Sequence, residues 1–495
     1  MSAADELRGL LRLRPLRLIS LGGLLAALAW VCCSLKLCVL DPDIWWHLKV
    51  GDWIVQHHAV PHDGILSRTA ADRPWVAYSW GFEVLISRAY AWFGLVGLGI
   101  FGVLLTLLVG YAVYWMLRRI SGRFWLACGL ATITCYAFLF NVMPRPVFLS
   151  IILFSVVITL LFEANRSGRV EQLYWLPLIF LVWANLHIQF VYGLFLVGLL
   201  LAVNIALRAA ASAGIAPGFL QAPTLPAAKL AAVFAGCVIA TCIGPYSSQV
   251  YKVIYEYSTA TFAYGVIHEL QPLDFRSPRH FVQLFLAAAG FFAVGRQNKM
   301  DPFKLILLAV ASAVAFRTMR DSWFICIPAA ACIADCWRET ETPYRGESFL
   351  ETAGLAVSLA FAVFLLARNT DFNRDGLTRA MSTEFPVGAV SFLRLNPQPG
   401  PLYNTLDWGG FLAWSMPDYP VAVDGRNDLY GDELDRQFYR IQMGDRSYAA
   451  DPYLGESRLL LLQTAAPLAS QLSSDSRFVL IYRDQLASVF VRRWQ

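Results

Sequence analysis

Residues 40–58 read Leu-Asp-Pro-Asp-Ile-Trp-Trp-His-Leu-Lys-Val-Gly-Asp-Trp-Ile-Val-Gln-His-His. Asp41 and Asp43 flank Pro42 directly after an apolar run, and a proline at that point stops the run from continuing as a helix. Beyond it Trp45, Trp46, Leu48, Trp53 and Ile54 recur at near-helical spacing, so Ile44 to His57 predicts an amphipathic helix lying in a membrane interface. Its aromatic side is expected to hold the two acids against lipid headgroups. Carboxylates at that depth bind Mg2+ or Mn2+ through oxygen or take a proton from an acceptor as a general base. Capping of the helix that follows is the plain alternative for Asp43, but capping alone does not explain two acids followed by aromatics and histidines. His47, His57, His58 and His62 match no familiar zinc spacing.

Working outward, the whole chain agrees with a membrane setting. Of its 495 residues 57% are hydrophobic and only 15% charged, which excludes an ordinary soluble globule. The net charge of +5 is small and diffuse, so nucleic acid is not an expected partner. The ten cysteines all fall in or beside apolar runs and read as small core residues. Runs long enough to cross the hydrocarbon as helices lie near 16–40, 94–117, 123–142, 146–163, 171–187, 189–208, 227–244, 280–296, 302–317, 320–337 and 349–367. The first follows Arg8, Arg12, Arg14 and Arg17 and is read as an uncleaved anchor.

With the N-terminus in the cytoplasm, basic residues gather in the inner connections: Arg118, Arg119 and Arg123; Arg166 and Arg169; Arg296, Lys299 and Lys304; Arg338 and Arg345. The expected fold class is therefore an α-helical polytopic membrane protein of about 11 transmembrane helices with a C-terminal α/β extracytoplasmic domain. The boundaries are 1–368 for the transmembrane module, with an external loop at 41–80, and 369–495 for the external domain. From Arg368 onward the composition changes, with 13 Arg, no Lys and 15 acids. Apolar alternation predicts strands at Pro420 to Asp424, Arg458 to Leu462, Arg477 to Tyr482 and Ala487 to Val491, with helices at Trp408 to Ser415, Glu433 to Met443 and Pro467 to Ser473.

Polar groups at the ends of spanning helices are costly, so their distribution points to function. Besides the loop acids, they comprise Arg145, then Asn185, His187 and Gln189 in one turn, Glu269 in the second long loop, and Arg317, Arg320 and Asp321 in the turn FRTMRDSWF. This topology puts all of them at the outer face. Arg317 and Arg320, spaced i, i+3, suit a forked grip on a lipid phosphate.

These features together resemble the membrane glycosyltransferases of the C superfold (GT-C), distantly those of oligosaccharyltransferase catalytic subunits. In such loops an acid, an apolar residue and Asp-Pro-aromatic-aromatic-His precede a helix, and Asp41, Asp43 and His47 stand in matching places. The resemblance implies that Asp43 is catalytic and helps hold a divalent metal. LYNTLDWGGFLAW and YPVAVDGRNDLYGDE are similar to the family's Trp-Trp-Asp-Tyr-Gly segment and the strand after it, with Asp407, Trp408, Gly409 and Asp424 in comparable places. A single Trp, and Gly409-Gly410 in place of Tyr-Gly, depart from that pattern, so peptide binding is not carried over. The turn Pro144 to Pro146 contributes no acid, so a second metal-binding pair is not carried over either.

The expected function is transfer of a sugar, hexosyl or pentosyl, from a polyprenyl-phosphate-linked donor to a glycan, lipid or protein acceptor at the extracytoplasmic face of a bacterial inner membrane. Asp43 would be base or tentative metal ligand, with Mg2+ or Mn2+ as its ion, and Asp41 its partner. His47, Arg145, Asn185, His187, Gln189 and Glu269 would line the cavity. Arg317 and Arg320 would grip the donor phosphate, while Trp408, Asp424 and Arg426 would face the acceptor. A lipid-linked glycan ligase or polymerase, and a non-catalytic scaffold, are the competing readings.

Overall fold

The computed structural model describes residues 14–139, 144–215, 218–339 and 349–493, with the backbone alone for Arg14 and 349–352. Arg8, Arg12 and Arg345 lie outside the described residues. The chain folds as two compact units, residues 1–35, 102–247 and 267–370 in the first and 36–101, 248–266 and 371–495 in the second.

The first unit is helical. In its described residues each of the eleven apolar runs overlaps a helix, because desolvated backbone must satisfy its own hydrogen bonds. Helix length does not establish eleven crossings. Among the described residues Pro15–Leu35, Trp80–Ser121, Val147–Ser167 and Phe190–Ser212 are long and apolar enough to cross a membrane, and Ala353–Asn369 with Arg374–Glu384 would make a fifth if they count as one broken span. Others are shorter than the roughly 20 residues a simple span needs, such as Phe124–Phe138 with 15 residues and Trp323–Cys336 with 14. The chain is an integral membrane protein with a small C-terminal sheet.

Trp323–Cys336 is buried along almost its whole length and packs against Pro278–Gly295, Pro302–Arg317 and Phe124–Phe138. Gly290 allows one of these approaches, since a Cβ there would lie 3.1 Å from the Ala329 Cα. Charged residues tie several helix ends together. Lys304 bridges Asp335 at 2.7 Å and Asp301 at 3.3 Å, Asn165 donates to Asp301, and Arg119 forks onto Glu163 at 2.9 and 2.8 Å.

In the second unit a four-stranded sheet has the order β1 (Leu402–Asn404), β2 (Leu459–Gln463), β4 (Ala487–Arg492), β3 (Phe478–Arg483). β1 runs parallel to β2, with Leu402 opposite Leu459, and the other pairs are antiparallel. The strand expected at Pro420 to Asp424 is a single bridge from Val421 to Ser67. Pro420 has no N–H to give a ladder, and the Asn404 side chain binds the next backbone groups instead, accepting from Ala422 N at 2.8 Å and donating to Val423 O at 2.8 Å.

The Pro42–His57 helix forms where expected. The Asp41 side chain accepts from Asp43 N at 2.9 Å, Pro42 occupies the first turn, and His58 ends the helix at φ 52°. Its aromatic side does not face lipid, contrary to expectation. Trp45 and Trp46 are 0% and 6% exposed, and Trp45 packs on Phe385, Phe411 and Trp414 at 5.9, 5.6 and 4.6 Å. Rings of that size bury more area against other rings than in a headgroup layer.

The helix also docks on the first turn of Trp80–Ser121 through Gly51, where a Cβ would stand 1.9 Å from Glu83 O and 2.5 Å from Glu83 C. Gly51→Ala must therefore push two backbones apart, an overpacking cost of about 3 kcal/mol. Thermal melting of the full chain in detergent should show it, and an unchanged midpoint would mean that this contact is loose.

Candidate functional site

The sequence candidates gather in two clusters, one in each unit. In the second unit the N-terminal turn of Pro42–His57 rests on glycines. A Cβ on Gly410 would lie 2.8 Å from Pro42 O and 3.1 Å from Trp46 N. A Cβ on Gly425 would lie 2.1 Å from Asp43 Oδ1. The Asp43 carboxylate thus sits directly on the backbone of the Asp424-Gly425-Arg426 loop, half-buried, with Trp46 Nε1 donating to Oδ1 at 3.1 Å. Asp41 is 1% exposed and serves as the cap.

The loop beneath Asp43 is held by a buried ion pair. Arg426 donates from Nε and Nη2 to the two oxygens of Asp424 at 2.9 and 2.7 Å, and both side chains are fully buried. Tyr430 donates to the same carboxylate at 3.1 Å, and the Arg426 guanidinium lies 4.7 Å over the Trp75 ring. Asp424 and Arg426 are therefore a brace that shapes the loop rather than groups open to an acceptor. Trp408, 1% exposed, is also interior, its indole donating to Glu384 O at 2.9 Å.

Further buried acids stand nearby that the sequence did not mark. His47 Nδ1 meets Glu83 Oε1 at 3.1 Å, with both residues buried. Trp75 Nε1 donates to Asp428 at 2.9 Å, and burial pushes the Asp428 carboxyl up to about 6. Asp435 rises to about 8, from burial and then from the neighbouring Asp424, Asp432 and Asp428 charges. Glu83 was the most legible of these, as a lone acid in the apolar stretch WGFEVLI.

In the first unit the cluster centres on Glu269. Arg145 Nη1 meets its Oε1 at 3.1 Å, and Arg320 Nη2 binds the same oxygen. Burial alone would raise this carboxyl, but the Arg320 and Arg145 guanidiniums outweigh it and hold it down to about 2. His187, half-buried, stands near the Arg320 guanidinium. Its Nδ1 lies 2.8 Å from Ser150 Oγ, which accepts from Trp183 Nε1 at 2.8 Å. Gln189 donates to Asp321 at 3.0 Å. Asn185 spans two turns, donating to Leu181 O and Ile243 O at 2.8 and 2.9 Å. Arg317 closes the Pro302–Arg317 helix just before Arg320.

Glu269→Gln should destabilise the chain by about 2 kcal/mol at neutral pH, because two partly buried guanidiniums lose their counter-charge. The carboxyl is held below its ordinary 4.5 in the folded state, so its contribution is present above that value and fades as pH falls toward 2. The gap in melting temperature between wild type and E269Q should therefore narrow on acidification. A gap independent of pH would show that the carboxylate charge is not what stabilises this cluster.

Among the described residues no group of three His, Cys, Asp or Glu side chains is placed to hold a metal ion. Around Asp43, one Asp41 oxygen accepts from the Asp43 backbone and the two Asp424 oxygens accept from Arg426.

No protein-family profile matches the chain, and no curated protein does. Solved structures do match. The oligosaccharyltransferase of Archaeoglobus fulgidus aligns over 90% of this chain and 69% of its own, with TM-score 0.53, at 11% identity when tethered to an acceptor peptide and 10% in the apo form. The chain has a GT-C-like fold. ArnT from Cupriavidus metallidurans, bound to undecaprenyl phosphate, aligns over 94% of this chain and 97% of its own at 13% identity, with TM-score 0.47. The GT-C-like fold meets the expectation raised by the loop acids.

Proposed function

We propose that the protein transfers a sugar from a polyprenyl-phosphate-linked donor to an acceptor at the extracytoplasmic face of the membrane. One observation carries this reading: a half-buried carboxylate, Asp43, held by Trp46 on a glycine backbone that leaves no room for a side chain. A base so positioned takes the proton of an acceptor hydroxyl as its oxygen bonds to the sugar C1. The bond from C1 to the donor phosphate oxygen breaks, and the electron pair leaves on the phosphate, with inversion at C1. Within the first unit, Arg145 and Arg320 share one carboxylate oxygen, a pairing of guanidiniums suited to holding a phosphate. The oligosaccharyltransferase fold supports the same chemistry.

The test is reconstitution of the purified chain in proteoliposomes with labelled polyprenyl-phosphate sugars, following release of polyprenyl phosphate and labelled product. Release coupled to product is expected. Turnover only with a lipid-diphosphate glycan would favour the ligase or polymerase, and no turnover with either donor would leave the scaffold. Lipid and glycan mass spectrometry of a deletion strain would then identify the sugar.

A further inference from the structure

The second unit contains a cleft of about 520 Å³, a volume typical of a small-ligand site, whose lining includes Phe411 and Trp414 but neither Asp43 nor the Asp424–Arg426 brace. Tyr90 and Phe93, at the end of the first arm of the Trp80–Ser121 helix, form one wall, and Trp414 forms another. Tyr90 and Trp414 meet edge to face at 6.0 Å. Gly94 in the lining has φ 59° and ψ −140°, a conformation essentially reserved for glycine, and there the helix bends into the apolar run 94–117. Trp92 and Phe93 beside it are 72% and 66% exposed, as aromatic residues are where a chain enters a bilayer.

The charged groups of the cleft have one sign. Arg374 and Arg394 line it, and among the described residues no carboxylate does. Arg394 is fixed by donating from Nη2 to Ser415 O at 2.7 Å. Ser415, 5% exposed and also in the lining, has a buried Oγ with no hydrogen-bond partner.

We propose that this cleft binds a phosphate-headed bilayer lipid, the anionic headgroup on Arg374 and Arg394 and an acyl chain along the Tyr90, Phe93 and Trp414 walls. The site is independent of the transfer reaction and uses none of its residues. It gives the bend at Gly94 a lipid to register against the membrane surface.

Native mass spectrometry of the full chain, released from detergent after exposure to defined probes, tests this. Dioleoyl phosphatidylglycerol should be retained, while dioleoyl phosphatidylcholine, dioleoylglycerol and inorganic phosphate should each be retained about tenfold less or not at all. Arg374→Gln with Arg394→Gln should lower phosphatidylglycerol retention about tenfold. Ser391→Trp, at an exposed position in the lining, should abolish it by filling the space without touching charge. Unchanged melting temperatures certify that both variants fold. Arg320→Gln should leave retention unaltered. Equal retention of phosphatidylcholine, equal binding of inorganic phosphate, undiminished retention in the cleft variants, or loss in Arg320→Gln would each overturn the proposal.

Discussion

Asp43→Asn should lower the rate of sugar transfer by about 10²–10⁴-fold, the range for removing a positioned general base, while leaving the fold intact. The distinction rests on what asparagine keeps. Its Oδ1 still accepts from Trp46 Nε1, as the Asp43 oxygen does at 3.1 Å, and it occupies the same space against Gly425. What it loses is the charge and the capacity to take a proton. Asp41→Asn is the natural comparison, because asparagine caps a helix about as well as aspartate, and the Asp41 carboxylate accepts from Asp43 N. A much smaller loss is expected there. The measurement is single-turnover transfer from a labelled donor in proteoliposomes, with melting temperature recorded for each variant. An Asp43→Asn chain as fast as wild type would remove this residue from the chemistry.

Arg426→Met should be the most damaging substitution for stability, at about 3–5 kcal/mol, because removing one partner of a buried pair strands the other charge. The Asp424 carboxylate would keep only the Tyr430 hydroxyl and the Arg426 backbone N–H, which lie at 3.1 Å each. Adding Asp424→Asn should recover part of that loss, so the two changes together cost less than their sum. Denaturant unfolding of the full chain in detergent, followed by near-ultraviolet circular dichroism, reads both. Strict additivity would show that the pair does not act as a unit. Because the brace underlies Gly425, Arg426→Met should also disturb Asp43 and slow transfer in whatever fraction remains folded.

Much of this architecture is written locally. The cost of leaving backbone groups unpaired in hydrocarbon turns each apolar run into a helix, and Asp41 with Pro42 marks a helix start by capping rules that span a few residues. The Pro467–Ser473 helix lies where its pattern places it, and the strands at 459–463, 478–483 and 487–492 follow their alternation to within a residue or so. The alternation at 420–424 misled because the Asn404 side chain, not a neighbouring strand, pairs with that backbone. β1, at three residues, is too short for a period to register.

The candidate site divides in the same way. Residue type and position marked Asp43, Arg145 and Arg320 as costly groups at helix ends, and that reasoning needs only the neighbouring sequence. Nothing local shows that Gly425 must be bare because Asp43 lies against it, that Asp424 and Arg426 neutralise each other in the interior, or that Trp45 turns inward to Phe385, Phe411 and Trp414. Helix periodicity and capping act over a few residues, so they can be read along the chain. Burial, close packing and charge pairing depend on groups hundreds of positions apart, and their partners exist only once the chain has folded.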